Sequence, residues 1–402
     1  MRHLPILILI ATLPSSASAQ SATGDLYRAA IEAVESEADR LIELRRDIHR
    51  QPELSGQEVR TADLIAGYLR SLGFRVQTGI AGHGVVGLLD GGEDGPIVAF
   101  RADMDAVRSG DPDPVPFRSE IPGVRHICGH DIHVAVGLGL ARAAAAVRED
   151  FPGRLMLIFQ PAEETATGAE AMLEAGLFEQ TSPDAIFAVH TALYPVGEVA
   201  TTPGGMMASR SQLTVRIHGS GEVQTTADAV RRAISALGTI PPAQAGRQAD
   251  PSGILVQSGT STNRTDEVRI WAQMMTADSR NFSELERRLS DGLGTMSTPG
   301  VKVEYDFQPG AIAGVTNDSL TTARANAAIA ALAPDVTVRQ VTGMVPLFSE
   351  DFGSFQRSVP GVMYFLGVGE AGMPHSPGYV ADERAILTGT RAMLAALLGA
   401  GG

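Results

Sequence analysis

One cysteine, two adjacent glutamates and a few histidines of this 402-residue chain fall where they could do chemistry together. Arg101-Ala-Asp-Met-Asp105 follows directly on an apolar run, and His126-Ile-Cys-Gly-His-Asp-Ile-His133 leads into an alanine-rich stretch. Gln160-Pro-Ala-Glu-Glu164 follows the apolar run 154–159, and Val189-His190 closes another such run. Pro374-His375-Ser-Pro377 lies in a Gly/Pro-rich segment after the run 362–366. Singly, each has an ordinary reading. A histidine after a strand commonly serves as a hydrogen-bonded structural residue, and paired glutamates commonly open a helix. Together, thiolate, imidazole and carboxylate are the donor types of a zinc or manganese site. Pro161, coming after an apolar strand, tilts Glu163 and Glu164 toward a cleft.

Other chemistries find little material. The net charge is −14, no stretch gathers basic residues, and Lys302 is the only lysine. Phosphate contacts need clustered Lys or Arg, so nucleic-acid binding is disfavoured, and Schiff-base and P-loop chemistry have almost no residues to use. No Gly-x-Ser-x-Gly elbow precedes a helix, which disfavours a serine nucleophile. Arg2, the apolar run from Leu4 to Leu13 and Ser-Ala-Ser-Ala at 16–19 read as a cleaved signal, with a mature start near Gln20. The run of about ten residues is too short to span a bilayer, and nothing later approaches a span. The expected location is therefore periplasmic or extracellular. With one cysteine there is no intrachain disulfide, so Cys128 is buried, free or a ligand.

The elements that must position these residues alternate between helix and strand. A helix is expected over 25–49, and Ser55 with Glu58 forms a capping box for a second. That helix carries Leu64, Ile65, Tyr68 and Leu72 on its apolar face and ends at Gly73. Strands are expected at 84–89, 96–101, 154–159 and 185–189, with a helix over 131–148. This is an α/β sheet covered by helices, and sites on such sheets gather at the carboxyl ends of strands. The middle reads as strand 212–218, helix 226–237, strands 254–257 and 267–275, helix 282–292 and strand 301–307. That β-α-β-β-α-β order is ferredoxin-like. The expected division is a signal at 1–19, a catalytic α/β domain at 20–208 and 316–402, and an inserted α+β lid at 209–315. A final helix is expected over 383–399.

These segments resemble the M20 metallopeptidases, in particular the amidohydrolase branch with hippurate hydrolases, aminoacylases and auxin-conjugate hydrolases. The matching stretches are Arg46-Asp-Ile-His-Arg-Gln-Pro-Glu-Leu54, Arg101-Ala-Asp-Met-Asp-Ala106, Cys128-Gly-His-Asp-Ile-His133 and Phe159-Gln-Pro-Ala-Glu-Glu164. Gly168-Ala-Glu-Ala-Met-Leu-Glu-Ala-Gly-Leu-Phe178, Ser349-Glu-Asp-Phe352 and His375-Ser-Pro377 follow in the family's order. The resemblance implies two divalent metal ions, Zn2+ or Mn2+ with Co2+ as an alternative, held by Cys128, His130, Glu164, His190 and His375. It makes Cys128 a bridging thiolate, Glu163 the general base and Asp103 a residue that orients a ligand. Asp131 and His133 share the motif but are equally well explained by the start of the helix, and His49 is expected to pack structurally.

The implied reaction is hydrolysis of an amide bond in an N-acyl or N-aminoacyl amino acid or small peptide. A metal-containing periplasmic binding protein without catalysis is the second reading. The insertion resembles the family's lid, through which a homodimer could form. Family lids carry a histidine in Gly-Gly-His-Ala-Ala, where this chain has Gly219-Ser-Gly-Glu-Val-Gln-Thr-Thr226. Val268-Arg-Ile-Trp-Ala-Gln-Met-Met275 has methionine where an arginine is common. Gly259-Thr-Ser-Thr-Asn263 is kept, so Asn263 is expected at the substrate. Either the substrate is bulkier or less dependent on a carboxylate, or Arg210, Arg264 or Arg280 replaces the lost groups.

Overall fold

Val98, Phe100 and Ala102 of the strand Glu93–Asp103 enter one hydrophobic core, and Ala99 between them enters another. Side chains alternate across a strand, so a strand apolar on both faces lies inside a sheet covered on both sides. The structure, a computed structural model, describes residues 16–238, 254–276, 281–342 and 349–400. Its large sheet has eight strands in the order Arg75–Ile80, Gly84–Asp90, Pro152–Gln160, Glu93–Asp103, Ala185–Ala192, Gly361–Gly367, Glu198–Thr201 and Thr337–Gln340. The four strands from Pro152–Gln160 to Gly361–Gly367 are parallel, which brings their carboxyl ends to one edge.

Residues from the helices Ala38–Arg50, Val59–Ser71, His130–Ala146 and Ala385–Gly399 build the core on one face. Ala169, Met172, Phe352 and Phe355 help to build the other. The helix expected over 25–49 is two helices, Ser16–Glu35 and Ala38–Arg50, and both pack on His130–Ala146. The turn between them carries Glu37, whose carboxylate accepts from Arg142 Nε of that helix at 2.7 Å. The capping box does not form either. Ser55 Oγ donates to Asp105 at 2.6 Å, and Glu58 accepts from the Ala162 N–H at 2.8 Å. Glu53 instead takes the first-turn N–H groups of Arg60 and Thr61, at 3.0 and 2.9 Å. The loops around the strand ends compete for the expected cap and win.

Between residues 209 and 312 lies a separate antiparallel sheet. Its order is Ile254–Asn263, Glu267–Thr276, Ser209–Gly219 and Val301–Ile312, with helices Val223–Ser235 and Asn281–Leu293 supplying its core. Strand and helix order follow the ferredoxin-like expectation. No helix among the described residues is long and apolar enough to cross a membrane. Of the expected signal, residues 1–15 lie outside the described residues, and 16–19 belong to the helix Ser16–Glu35.

Candidate active site

Parallel pairing aligns Asp103 with Gln160 and His190 with Phe365, so the expected residues emerge at one edge of the sheet. Cys128 and His130 arrive there through a tight turn. Gly129 between them has φ +92°, and a Cβ at that position would press on the Tyr379 hydroxyl and sit 2.6 Å from Thr191 Oγ1. Only glycine fits both the space and the left-handed backbone. Tyr379 donates to Thr191 Oγ1 at 3.0 Å, and Thr191 in turn donates to the Cys128 carbonyl at 2.5 Å. A hydrogen-bonded chain thus holds the cysteine from behind.

Each imidazole shows one nitrogen to the cavity because the other is committed. His190 Nδ1 donates to the Thr191 carbonyl at 2.9 Å, and its Nε2 lies 3.5 Å from Cys128 Sγ. His130 Nδ1 donates to the Asp105 carbonyl at 2.9 Å. A carbonyl can only accept, so Nδ1 of each ring carries a proton. His130 Nε2 is buried without a hydrogen-bond partner, 3.7 Å from Glu163 Oε2 and 3.8 Å from Glu164 Oε1. His375 Nε2 lies 3.2 Å from the same Glu164 oxygen. His375 has φ +64°, and its N–H donates to the Ile127 carbonyl at 2.7 Å. Cys128, Glu163, Glu164, His190 and His375 line one cavity of about 350 Å³, with Arg210 reaching in from the lid sheet.

Donor atoms of Cys128, His130 and Glu164 lie within 4.8 Å of one another. A buried imidazole nitrogen and a buried carboxylate oxygen, Glu164 Oε1, both lack hydrogen-bond partners there. Such groups are costly unless something satisfies them. A soft thiolate, an imidazole and a carboxylate suit a zinc-like or manganese-like cation. The donor set therefore fits a metal.

The open questions on neighbouring residues resolve by partner. His133 Nδ1 donates to Asp103 at 2.5 Å and its Nε2 accepts the Thr191 N–H at 2.9 Å. Both nitrogens are used, so His133 clamps the Asp103 carboxylate and has no lone pair left for an ion. Asp131 pairs with Arg45 and with His49, each at 2.7 Å, and His49 also meets Asp113 at 2.9 Å. Those contacts tie the helix His130–Ala146 to Ala38–Arg50, as expected of a structural His49. Asp103 is fully buried, with Oδ2 3.7 Å from His130 Nε2. Asn263 lies on an exposed lid strand, where its Oδ1 accepts from Gln224 Nε2 at 2.9 Å, and it does not line the cavity. Arg264 is exposed beside Asp266, and Arg280 lies outside the described residues.

Behind Glu163 stands a group whose role the sequence did not disclose. Arg101 is fully buried and pairs with Asp103 at 2.7 Å, Glu350 at 2.9 Å and Asp351 at 3.1 Å. Gln160 accepts from Arg101 Nε at 2.8 Å and donates to Asp351 at 2.8 and 2.9 Å. Carboxylate oxygens of Glu163, Glu350 and Asp351 come within 4.8 Å of one another. Burial, and then the charges of Glu350, Asp351 and Glu164, push the Glu163 carboxyl well above its usual range, with His130 opposing. Burial and Glu350 raise Asp351 to about 7 against the pull of Arg101. Burial opposes the charged form of His130, but Asp103 and Cys128 hold its pKa well above the usual value. His190 goes the other way, down to about 3, through burial and the neighbouring His133. Ser349-Glu-Asp-Phe352 was a visible signal, but without its partners it had no role.

Residues 99–399 match the sequence profile of peptidase family M20/M25/M40. The chain is 32% identical to the N-acetylcysteine deacetylase of Bacillus subtilis, over 86% of this chain and 93% of that protein. It is 32% identical to thermostable carboxypeptidase 2 of Saccharolobus solfataricus, over 88% and 93% respectively. Among solved structures it resembles the YXEP protein of Bacillus subtilis, described as a dinuclear metal binding peptidase. There the TM-score is 0.76 at 28% identity, over 90% of this chain and 98% of that one. The chain belongs to peptidase family M20/M25/M40, a family of enzymes that hydrolyse amide bonds.

Proposed function

We propose that this enzyme hydrolyses the amide bond of an N-acyl or N-aminoacyl amino acid or a small peptide, with Glu163 moving the proton. The single observation that carries the proposal is the pair of buried atoms without a hydrogen bond, His130 Nε2 and Glu164 Oε1, inside a cluster of thiol, imidazole and carboxylate donors. In this reading Cys128, His130, Glu164, His190 and His375 hold two divalent cations, zinc or manganese. Cys128 would be the donor best placed to serve both, since its sulfur lies 3.5 Å from His190 Nε2 and within 4.8 Å of the donor atoms of His130 and Glu164. Two such cations polarise a substrate carbonyl and acidify a water that attacks it.

The chain's own groups do the rest. Glu163 takes the proton of the attacking water and returns it to the nitrogen of the leaving amine, so the C–N bond breaks with no net proton change. Its raised pKa, set by burial and by Glu350, suits a group that must hold that proton between the two steps. The Asp105 carbonyl orients His130, and His133 holds the Asp103 carboxylate beside the cavity-facing nitrogen of that ring. The reading of a binding protein without catalysis gains no support, because the relatives are named as a deacetylase and a carboxypeptidase.

The test is Glu163→Gln in metal-loaded protein, assayed on a panel of N-acyl amino acids and dipeptides by amine release. The turnover number should fall by about 10²–10⁴-fold while the metal content stays at two ions per chain. Equal rates in both proteins would overturn Glu163 as base, and no hydrolysis by either would favour the binding reading. Export is also part of the proposal, on the strength of Arg2, the apolar run 4–13 and the small residues 16–19. Amino-terminal sequencing from a secreting host should then begin near Gln20, and an intact Met1 would refute it.

A further inference from the structure

Apart from its histidines, the cavity has one cationic side chain among the described residues, Arg210, near the start of the lid strand Ser209–Gly219. Its guanidinium makes no hydrogen bond or ion pair among the described residues, and its Nε is buried without a partner. Arg210 is half-buried, and a guanidinium drawn partly out of water without a partner is placed to meet an anion that enters the site. Glu163 is the charge it senses most, and burial lowers its pKa while that glutamate opposes the shift. Glu163 cannot be its permanent partner if it serves as base.

A second cavity of about 270 Å³ adjoins the first, sharing His190 and Pro374. Its other walls include Leu193, Tyr194, Phe365 and Met373. A carboxylate placed there would lose its hydration with nothing in return, whereas an acyl chain or ring would gain. The two outlets of the site therefore differ in polarity. Arginine matches a carboxylate geometrically with its two-pronged donor face.

We infer that Arg210 is the substrate-carboxylate anchor of this enzyme, so that the scissile amide spans the donor cluster with its acid-bearing half toward Arg210 and its apolar acyl group toward Leu193 and Phe365. The inference rests on the amide-hydrolase reading above and names the substrate class: an N-acyl amino acid or peptide with a free carboxylate near the cleaved bond and an apolar acyl side.

The experiment compares wild type with Arg210→Met, which keeps the aliphatic stem, and Arg210→Lys, on two matched substrates. One is an N-phenylacetyl amino acid and the other its carboxamide. The readout is the ratio of kcat/KM for acid over amide. Arg210→Met should lower that ratio by about 10- to 150-fold, mainly through KM, and lysine should restore part of it. Titration calorimetry of the N-phenylacetyl amino acid against each protein gives a second readout, with affinity falling by a similar factor. An unchanged ratio with unchanged affinity overturns the inference, as does an equal loss on both substrates. If wild type hydrolyses neither substrate, the amide-hydrolase reading fails, and the calorimetric comparison alone still decides Arg210.

Discussion

Replacing Arg101 by methionine should destabilise the catalytic domain severely, and the loss should shrink on acidification. Arg101 is fully buried, and its guanidinium meets Asp103, Glu350 and Asp351 at 2.7, 2.9 and 3.1 Å. Methionine keeps an aliphatic stem and removes the charge and donors. Breaking one buried pair by removing a partner costs about 3–5 kcal/mol. Three pairs share one guanidinium, so the contributions do not add. Protonation also offers an escape, because Asp351 already stands at about 7 through burial and Glu350. The expected net loss near neutral pH is therefore about 3–5 kcal/mol, a large part of a domain's stability.

The pH dependence has a definite sign. In wild type, burial favours the neutral form of Asp103, yet Arg101, His130 and His133 hold its pKa well below the usual range. That stabilisation is present above the unfolded-state pKa and fades as pH falls through the folded one. In the variant, Glu350 and Asp351 lose their cation, and the folded pKa of Asp351, already raised by burial and Glu350, rises further. The contribution of Asp351 is then present at low pH and lost as pH rises through that value. Because Asp351 already stands at about 7 in wild type, its further rise in the variant narrows the gap as pH falls toward about 7, and the Asp103 effect narrows it again only below about pH 4. Urea unfolding followed by far-UV circular dichroism measures it. The single tryptophan, Trp271, lies on the lid sheet and would report the wrong domain. Equal midpoints near neutrality, or a gap that widens in acid, would refute the reasoning.

Two further outcomes concern the donors. Gly129→Ala forces a left-handed alanine, about 1–2 kcal/mol, and pushes its Cβ against Tyr379 and Thr191, about 1–3 kcal/mol more. Because the displaced residue sits between Cys128 and His130, metal affinity should fall with stability, and a chelator competition that finds both unchanged would contradict the placement. Burial, with Glu164 adding to it, pushes the Cys128 thiol well above its usual pKa, so binding a cation must expel that proton. Calorimetry in buffers of differing ionisation enthalpy should show net proton release and an affinity that falls with pH, and the absence of proton release would exclude thiolate ligation.

Cys128, His130, Glu163 and Glu164 were legible because their residue types are uncommon together and each sits where a strand ends or a helix begins. The sheet and lid were legible through alternation and helical periodicity. What was not legible turned on choice among equivalent partners. Ser55 and Glu58 satisfy a capping pattern, yet the loops carrying Asp105 and Ala162 take both side chains, and Glu53 caps the helix in their place. Arg101 finds Glu350 249 residues away. No local pattern encodes such a pairing, and only the packed strand ends bring the two together.

Arg210 illustrates the same limit on the substrate side. In the lid sheet it pairs across strands with Met275, and cross-strand partners share a face. That methionine belongs to the stretch where the resemblance leads one to expect an arginine. The cation absent from one strand is thus present on its neighbour, on the same face. Sequence comparison position by position reads two losses, of a lid histidine and a lid arginine. Register reads a charge moved one strand across, and it separates Arg210 from Arg264, which sits exposed beside Asp266. The donor cluster is gathered at the carboxyl ends of the parallel strands, from one strand, a helix start and the loops between. Arg210 sits on a strand of the lid sheet, outside the donor set, so under the proposed anchoring role a single exchange there would alter substrate choice while leaving the donors in place.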